Sequence, residues 1–565
     1  MRAAQRVFVA SASLALLITP VQAVAQSRTD DVSRIRARAQ RAQQQFESYR
    51  RRLLPTTSGR SASNECDVRI GRFCYWHDDA EDLPREPEPI AAARNALLRS
   101  LDSLAALARN DVWMVGQRVR YLVESNRAAD ALRAATDCSA AAWWCAALRG
   151  FSDHALGDYE AADREFEAAL SAMTPAQRCH WTDLGDLLPD ASHKAYRAVP
   201  CAQRDSLNGR IWWLADPRWA LAGNDLRTEI YARLTMSQLV QLARSAHDMS
   251  WGDDMAELML RYGWPAAWSR ASPSSVDPTQ ISVIGHEPSP SFDFLPEARA
   301  LNDPFNAEAS SWTPTAPKPL TRYAPKYARR FAELTPQVAW FARGDSAVIV
   351  AAYEVGALHD TVFTHDSVDA AVVLSRGPGE IAIARAKTAR WGVFVLPTPS
   401  IPALVSVEVV DSAGIALARS RFGTQPPADS ALSDVLLFDA AGGIPETFEA
   451  ASTRALGALT VSRQIPFGLY WELYGDLAQT DSITYAVSVE RRGASWLRRL
   501  AERTRMVDRP QPVRVGFDER PGGGAMSARS LLVDVSTIPA GEYRLTLTVR
   551  SGERVLTRVR DIDVR

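Results

Sequence analysis

The sequence predicts a multi-domain α+β protein, with helices in its first part and antiparallel β-sandwiches in its last part. The chain has 565 residues, more than the roughly 250 to 300 that a single hydrophobic core organises. Segments before residue 210 repeat apolar positions with the period of a helix, whereas from residue 334 short runs alternate apolar and polar residues. We therefore expect a helical array at 26–210, a small mixed α/β module at 211–330, and sandwiches at 331–425 and 430–565.

The composition is that of a globular protein, with 46% hydrophobic and 23% charged residues. The formal net charge is −1 at pH 7, so electrostatics gives no reason to expect nucleic acid as a partner. The sequence contains no phosphate-binding loop, dinucleotide fingerprint, H-E-x-x-H motif or G-x-S-x-G motif. We therefore expect no cofactor.

The first 25 residues predict a signal peptide. Arg2 and Arg6 form a short positive region, an apolar stretch follows, and Ala23-Val24-Ala25 supplies the small residues that signal peptidase needs. No later run approaches the ~20 apolar residues of a membrane span. The sequence thus predicts cleavage near Ala25 and a mature chain outside the cytoplasm, either periplasmic or secreted.

Six cysteines form three local couples, which in an exported chain predict disulfide bonds. The couples are Cys66 with Cys74, Cys138 with Cys145, and Cys179 with Cys201. Other pairings are possible, but the closure of short loops favours these neighbours. No C-x-x-C spacing occurs, which disfavours zinc, and we expect no metal.

A charged segment at 28–54 contains neither Gly nor Pro and predicts a helix, whose Arg residues we interpret as a solvated face rather than a surface for anionic polymers. Further along, small and aromatic residues occupy positions typical of a tetratricopeptide repeat: Gly150, Gly157, Ala162, Phe166 and Ala169. The segment resembles that family over about 34 residues. The resemblance implies closely packed antiparallel helices that bind another protein or pack on the next domain.

Residues 211–265 carry a second pattern, in which a Trp and Asp-Pro precede Asn-acid-x-Arg-x-Glu, a helix, W-x-x-D and R-Y-G-x-P. The matching residues are Trp213, Asp216, Pro217, Asn224, Asp225, Arg227, Glu229, Trp251, Asp254, Arg261, Tyr262, Gly263 and Pro265. The pattern resembles the GWxTD domain family of exported bacterial proteins, although Ser250 and Asp253 replace its Gly and Thr. The resemblance implies an extracytoplasmic module without assigned catalytic residues. The residue types also make Asn224 or Asp225 a good helix cap.

The acids at 253–257 are the candidate catalytic group. We expect residues 256–263 to form a strand, in which case the side chains of adjacent Asp253 and Asp254 point to opposite sides. Asp254 is then expected to bind backbone amides in a turn or to pair with an Arg of the helix after Asn224. The alternative is that Asp253, Asp254 and Glu257 meet His286 in a hydrolytic site.

Eleven of the 33 prolines lie between residues 265 and 325, which predicts an extended strap rather than a helix. The expected apolar anchors of this strap are Trp268, Phe292, Phe294, Leu295 and Trp312. We expect His286, Glu287 and Asp293 to serve in hydrogen-bonded loops rather than to bind a metal. Beyond the strap, aromatic residues on both faces of 467–476 fit either a binding surface or burial on both sides.

The main functional hypothesis is an exported, non-enzymatic protein that presents surfaces to other envelope proteins. The runner-up is an envelope hydrolase that acts on peptide or glycan through the acids at 253–257 and His286. A third class is carbohydrate binding through exposed aromatics of the sandwiches. Convergence of the acids in an open cleft would favour the hydrolase, whereas their pairing with Arg or backbone amides would favour the first hypothesis.

Overall fold

A computed structural model describes most of the chain after the predicted signal peptide. The described residues are 20–57, 66–77, 83–271, 283–287, 290, 292–315, 318–356, 361–492, 513–520 and 524–565. Residues 1–19, and with them most of the predicted signal peptide, lie outside this set. Within it, no helix is long and apolar enough to cross a membrane.

The protein is a mixed α+β structure, as predicted. The α-helices in the described residues are α1 (Pro20–Leu53), α2 (Glu88–Ala105), α3 (Val112–Glu124), α4 (Ala128–Thr136), α5 (Ala142–Leu156), α6 (Tyr159–Ala172), α7 (Pro175–Trp181), α8 (Asp190–Ala198), α9 (Asp205–Ala215), α10 (Asp225–Gln241), α11 (Asp253–Tyr262), α12 (Ala298–Asn302), α13 (Phe448–Ser452) and α14 (Asp476–Gln479).

The strands fall mainly in the last part of the chain. They are β1 (Thr56–Thr57), β2 (Val68–Ile70), β3 (Phe73–Tyr75), β4 (Ala267–Ala271), β5 (Val283–His286), β6 (Arg330–Glu333), β7 (Gln337–Arg343), β8 (Ser346–Glu354), β9 (Val368–Gly377), β10 (Glu380–Thr388), β11 (Trp391–Pro399), β12 (Ala403–Asp411), β13 (Ala416–Thr424), β14 (Leu436–Asp439), β15 (Thr460–Val461), β16 (Phe467–Tyr474), β17 (Ile483–Arg491), β18 (Val513–Glu519), β19 (Met526–Val533), β20 (Gly541–Ser551) and β21 (Arg554–Val564).

The chain divides into two compact units. Unit 1 comprises the described residues of Met1–Thr174, Tyr231–Met259 and Trp264–Pro288, and unit 2 comprises those of Pro175–Ile230, Leu260–Gly263 and Ser289–Arg565. Residues 175–210, which fall in the predicted helical segment, group with unit 2.

Unit 1 contains the helical array, in which each of the helices α1 to α6 packs against the next. The closest approach is in the α5–α6 hairpin, where a Cβ on Gly150 would lie 3.0 Å from the ring of Phe166. Gly157 ends α5 in the left-handed conformation, with φ of 88°. These contacts explain why small residues occur at the two glycine positions. Membership of the tetratricopeptide family stays a prediction.

Most of the described arginines of the first helix are exposed, in agreement with the interpretation of a solvated face, but the helix also buries part of its charge. Glu47 and Arg50 of α1 are only 2% and 3% exposed. The Arg50 guanidinium donates to Glu124 on α3 at 3.1 Å, and the Tyr121 hydroxyl donates to Glu47 at 2.7 Å. Burial opposes ionisation of Glu124, but Arg120 and Arg50 lower the pKa of its carboxyl to about 2. The polar residues therefore pair between helices in the interior of the array.

Two of the three predicted disulfides are present. Cys138 is bonded to Cys145 in unit 1, and Cys179 to Cys201 in unit 2. The prediction of a third bridge was wrong for this structure, because Cys66 and Cys74 are not joined. The two thiols are nonetheless neighbours, since burial and a hydrogen bond with Cys66 raise the pKa of the Cys74 thiol.

Unit 2 holds two β-sandwiches, each built from a five-stranded and a three-stranded sheet. The first pairs the sheet of order β10-β9-β12-β13-β6 with the sheet β11-β8-β7. The second pairs β15-β21-β20-β17-β18 with β14-β16-β19. Apart from the parallel pairs β13 with β6 and β15 with β21, the strands in these sheets pair antiparallel.

The two sandwiches pack on one another through the outer faces of their three-stranded sheets. Phe341 of β7 and Tyr470 of β16 share one buried cluster with Leu436, Phe438 and the α13 region. On the opposite face of β16, Leu469, Trp471 and Leu473 enter the core of the second sandwich. Of the two interpretations of 467–476, the structure therefore supports burial: both faces of β16 are covered, and Tyr470 and Trp471 do not form an exposed binding strip.

The predicted strap contains the short helix α12 and several buried aromatic anchors. Phe292 and Phe294 are 7% and 2% exposed and pack with Trp212 of α9, while Trp312 is 4% exposed in a neighbouring cluster. Asp293 accepts hydrogen bonds from the Leu295 N–H at 3.0 Å and the Thr321 hydroxyl at 2.9 Å. This segment is thus held by burial and by turn hydrogen bonds.

Candidate functional site

The prediction of a strand at 256–263 was wrong, because residues Asp253–Tyr262 form helix α11. The buried residues of this segment are Met255, Met259 and Tyr262, spaced by four and three residues as on one face of a helix. Asp253 and Asp254 lie in its first turn, where carboxylates are favoured by the helix dipole. The side chains of Asp253 and Asp254 therefore do not point to opposite sides of a strand.

Asp254 is held by an arginine from a distant hairpin. Arg72, at the tip of the β2–β3 hairpin, donates from Nε to Asp254 Oδ2 and from Nη2 to Oδ1, both at 2.7 Å. The backbone N–H of Arg72 donates to the same carboxylate at 3.1 Å, and that of Met255 at 2.9 Å. These bonds, chiefly those from the Arg72 side chain, hold the pKa of Asp254 well below its usual range.

The hairpin can approach this carboxylate because its turn contains a glycine. Gly71 has φ of 50°, and a Cβ at this position would lie 2.5 Å from the Cβ of Asp254. Any larger residue would therefore push the hairpin away from α11. Sequence reasoning anticipated an Arg partner for Asp254 but placed it on the helix after Asn224, because nothing local links positions 72 and 254.

A half-buried histidine lies beside the Asp254 contact. The His247 ring is 5.6 Å from the Phe73 ring of the hairpin and 4.7 Å from the Trp268 ring, measured between centroids. Burial lowers the pKa of His247 to about 4, so this imidazole is neutral near pH 7. It fills space between aromatics and does not carry a positive charge at neutral pH.

The other candidate residues do not join Asp254 in a metal-binding cluster. Asp253 is exposed and Glu257 is half-buried, and the His286 ring shares a hydrogen bond with the Ser269 hydroxyl at 2.7 Å. The described residues contain no group of three or more His, Cys, Asp and Glu side chains that could hold a metal ion. The arrangement around Asp254 is that of an ion pair which fixes a hairpin to a helix.

The earlier part of the GWxTD-like pattern forms a second polar cluster, in unit 2. Asn224 caps α10 by accepting from the Arg227 N–H at 2.8 Å, as predicted. Asp225 accepts from the hydroxyls of Tyr323 and Tyr327, each at 3.0 Å. Burial is the main cause that raises the pKa of Asp216 well above its usual range, and the charge of Asp225 raises it further.

Strands β12 and β13 supply partners that sequence reasoning missed. The Glu408 carboxylate accepts from the N–H groups of Trp219 and Ala220, both at 3.0 Å. The Arg421 guanidinium stacks 3.7 Å from the ring centroid of Trp219 and donates to the Asp216 carbonyl at 2.8 Å. These charged residues stand in strands that otherwise read as apolar, and that contrast was the available signal. The cluster fastens the 213–220 turn to the sheet.

The remaining pattern residues also make structural contacts. Trp213 donates to the Ser375 hydroxyl at 2.8 Å, and Arg261 donates to the Asp186 carbonyl at 2.9 Å. Tyr262 is buried, Gly263 follows α11 with φ of 81°, and Pro265 packs closely on Gly285. Arg227, Glu229 and Trp251 are half-buried.

One histidine outside the predicted set is paired with a buried carboxylate. His365 Nδ1 lies 3.1 Å from Asp411 Oδ1, and the His365 side chain is half-exposed. Burial acts to raise the pKa of Asp411, but the N–H groups of Gly414 and Thr364, together with His365, lower it to about 2. The pair orients an imidazole and closes the loop before β9. The Thr364 hydroxyl also lies 3.0 Å from the same Nδ1 atom.

Comparisons with known proteins add no family. No protein-family model matches the chain, and no curated protein matches it in sequence. Among solved structures, Escherichia coli alpha-2-macroglobulin activated by porcine elastase shares 11% identity over 41% of this chain and 23% of its own, with a TM-score of 0.14. Bacteroides uniformis beta-glucuronidase 2 shares 10% identity over 38% of this chain and 26% of its own, with a TM-score of 0.16. The chain thus spans about a quarter of these structures, and TM-scores this low carry no argument about fold or function.

Proposed function

We propose that the protein is an exported, non-enzymatic component of the cell envelope that presents surfaces to other proteins, and that it is related to the GWxTD domain family. The proposal rests on the contacts of Asp254, one of the candidate catalytic acids. Asp254 is engaged by Arg72 through two side-chain bonds of 2.7 Å, so its carboxylate is neither an acid nor a free base near pH 7.

The envelope location is supported by two features of the described residues. They contain two disulfide bonds, which persist in oxidising compartments. Those residues also contain no helix fit to span a membrane. Together with the signal-like first 25 residues, this favours a protein that is released from the membrane after export.

The test compares binding with turnover in the full-length protein. A variant with Asp253→Ala, Glu257→Ala and His286→Ala retains Asp254, and therefore keeps the hairpin in place. Photo-crosslinking groups introduced at exposed Leu107 and Ile444 (66% and 57% exposed) then report contacts in the native envelope. We expect the variant and the wild type to crosslink to the same proteins.

Hydrolysis assays on peptidoglycan and on unfolded protein run in parallel with the crosslinking. A rate that the wild type shows and the triple variant loses would overturn the proposal in favour of the hydrolase. Absence of any crosslink between the wild type and another envelope protein would also contradict the proposal, because the protein would then present no surface to a partner.

A further inference from the structure

The first sandwich ends in an exposed edge strand, β10. Its nine residues, Glu380–Thr388, pair with β9 on one side only, and the five-stranded sheet ends there. All but Ala384 and Thr388 of its residues are exposed. A long edge with free backbone groups is a template for pairing with a further strand, and no other described strand joins it.

This edge is also unusually apolar for an exposed strand. Ile381 and Ile383 are each 40% exposed and lie on one face of β10, together with Arg385 and Lys387. Trp391 and Val395 on the following strand β11, itself the edge of the opposite sheet, are 42% and 43% exposed. The same side of the sandwich thus combines two free edges with a concentration of exposed apolar side chains.

We propose that β10 pairs antiparallel with β10 of a second copy of this chain, around a twofold axis at Ala384, so that the two five-stranded sheets become continuous. The inference is independent of the proposed role in binding envelope proteins, since a chain can self-associate whether or not it has other partners. A twofold axis places the same edge on both sides, which is the geometry of most homodimers.

The sequence of the strand favours this register. With Ala384 opposite itself, all nine residues overlap, Ile383 faces Arg385 of the second copy, and Ile381 faces Lys387. The aliphatic stem of Lys387 then covers Ile381 while its charged end reaches water, and the stem of Arg385 covers Ile383 while its guanidinium donates to the Ala220 carbonyl. A twofold axis at Arg385 would place Arg385 opposite itself. An axis at Ala386 would place Arg385 opposite Lys387 of the second copy. Both arrangements oppose like charges, which is unfavourable across strands.

The size of the contact sets the expected affinity. At about 3.3 Å per residue a nine-residue strand is about 30 Å long, and the paired strip is about 10 Å wide. The strip of about 300 Å² per copy is well below the roughly 800 Å² of a standard stable interface. We therefore expect a weak, concentration-dependent dimer. The net charge of −1 gives little general repulsion between copies.

The test uses sedimentation velocity of the full-length protein up to about 200 µM, a range in which a contact below standard size can be populated. Ile383→Lys places a second positive charge opposite Arg385 at two equivalent positions, and should weaken dimerisation by about tenfold or more. Ile383→Glu places a carboxylate opposite the same Arg385 and should preserve or strengthen dimerisation at low salt.

The matched control is Val559→Lys, which substitutes an apolar residue 47% exposed on β21, a strand paired to β20 along its length. This variant should dimerise like the wild type. A monomeric wild type over the whole range overturns the proposal, as does equal weakening by Ile383→Lys and Ile383→Glu. Equal weakening by Val559→Lys assigns the contact to the second sandwich and overturns it too. Circular dichroism of each variant verifies that the fold is retained.

Discussion

At the scale of single residues, two aspartates of the GWxTD-like pattern are controlled by opposite forces. Arg72 stabilises the charged form of Asp254, and its pKa falls. Burial and a neighbouring carboxylate, Asp225, destabilise the charged form of Asp216, and its pKa rises. The two residues look alike in sequence, but folding shifts their pKa values in opposite directions.

Replacing Asp216 with asparagine tests this difference. A carboxyl whose folded pKa lies above its unfolded value contributes stability below that unfolded value, near 3.8, and loses it as pH rises through the folded pKa. Asp216→Asn cannot ionise and retains an oxygen for the Arg218 N–H. We expect it to raise the free energy of unfolding at pH 8, because the amide never carries the charge that burial and Asp225 disfavour.

Urea titrations followed by tryptophan fluorescence at pH 5 and pH 8 measure the effect. Asp254→Asn is the opposite control, because its parent carboxylate is stabilised as an anion. It should lower the free energy of unfolding at both pH values, with the loss shrinking only at strongly acidic pH. An Asp216→Asn variant less stable than the wild type at pH 8 would contradict the assignment.

The half-buried imidazole of His247 should make unit 1 sensitive to acid. Its pKa is lowered to about 4, below the unfolded value near 6.5, so its contribution is complete above pH 6.5 and is lost as pH falls toward 4. A shift of that size corresponds to at most about 3 kcal/mol. His247→Phe keeps a ring between Phe73 and Trp268 but cannot titrate.

Thermal unfolding of both proteins between pH 7 and pH 4 tests this expectation. The stability of wild type should fall more steeply than that of His247→Phe, although the variant can start lower at pH 7 because it loses a hydrogen bond. Parallel pH profiles would show that His247 does not titrate as expected.

At the scale of elements, the contact between the β2–β3 hairpin and α11 depends on a residue without a side chain. Gly71 combines a left-handed backbone with a Cβ position that Asp254 already occupies. The hairpin is short, with three residues in each strand, and a two-stranded ribbon of this size is marginal alone. Its position therefore relies on Arg72 and Phe73.

Gly71→Ala should detach the hairpin. The left-handed conformation alone costs an alanine about 1 kcal/mol, and the overlap with Asp254 adds the loss of the Arg72 bonds. Gly157→Ala is the matched control, because Gly157 has φ of 88° in the same unit with nothing within 4 Å of the Cβ position. We expect Gly71→Ala to destabilise unit 1 by roughly 1 kcal/mol more than Gly157→Ala.

Calorimetry measures the difference in stability between the two variants. Hydrogen exchange of residues 68–75 also distinguishes them. Faster exchange in Gly71→Ala, with no change in Gly157→Ala, is the expected pattern. Equal destabilisation by both substitutions would mean that the close approach to Asp254 has no energetic weight.

At the scale of the whole molecule, the sequence predicted what local patterns determine. The alternation in β20, with Tyr543, Leu545, Leu547 and Val549 in the core and polar residues between them, is visible in the sequence because a strand that covers a core must alternate. The α10 cap at Asn224 is confirmed for the same local reason. Residues 256–263 were misassigned as a strand because a short apolar run fits either a strand or a helix.

Contacts between distant segments were out of reach. The partners of Asp254 and Asp216 lie at Arg72 and Arg421, and no periodicity links such positions. The burial of Arg50 in α1 shows the same limit, because a charged helix face reads as solvated until a matching charge from another helix is known. Local order follows from sequence pattern, whereas the polar network follows from tertiary packing.

The contact between the two sandwiches in unit 2 provides a prediction at this largest scale. Glu472 of β16 is fully buried and receives Arg343 of β7 at 2.6 Å, the Tyr470 hydroxyl at 2.8 Å and the Tyr474 hydroxyl. Arg343→Met leaves the carboxylate without its counter-charge, which should cost about 3 kcal/mol. Adding Glu472→Gln removes the buried charge and should recover most of that loss, because one tyrosine can still donate to the amide oxygen and the other can accept from the amide NH2. Urea unfolding of the two single variants and the double variant measures the coupling, and a double variant no more stable than Arg343→Met would show that charge pairing is not what joins the sandwiches at this point.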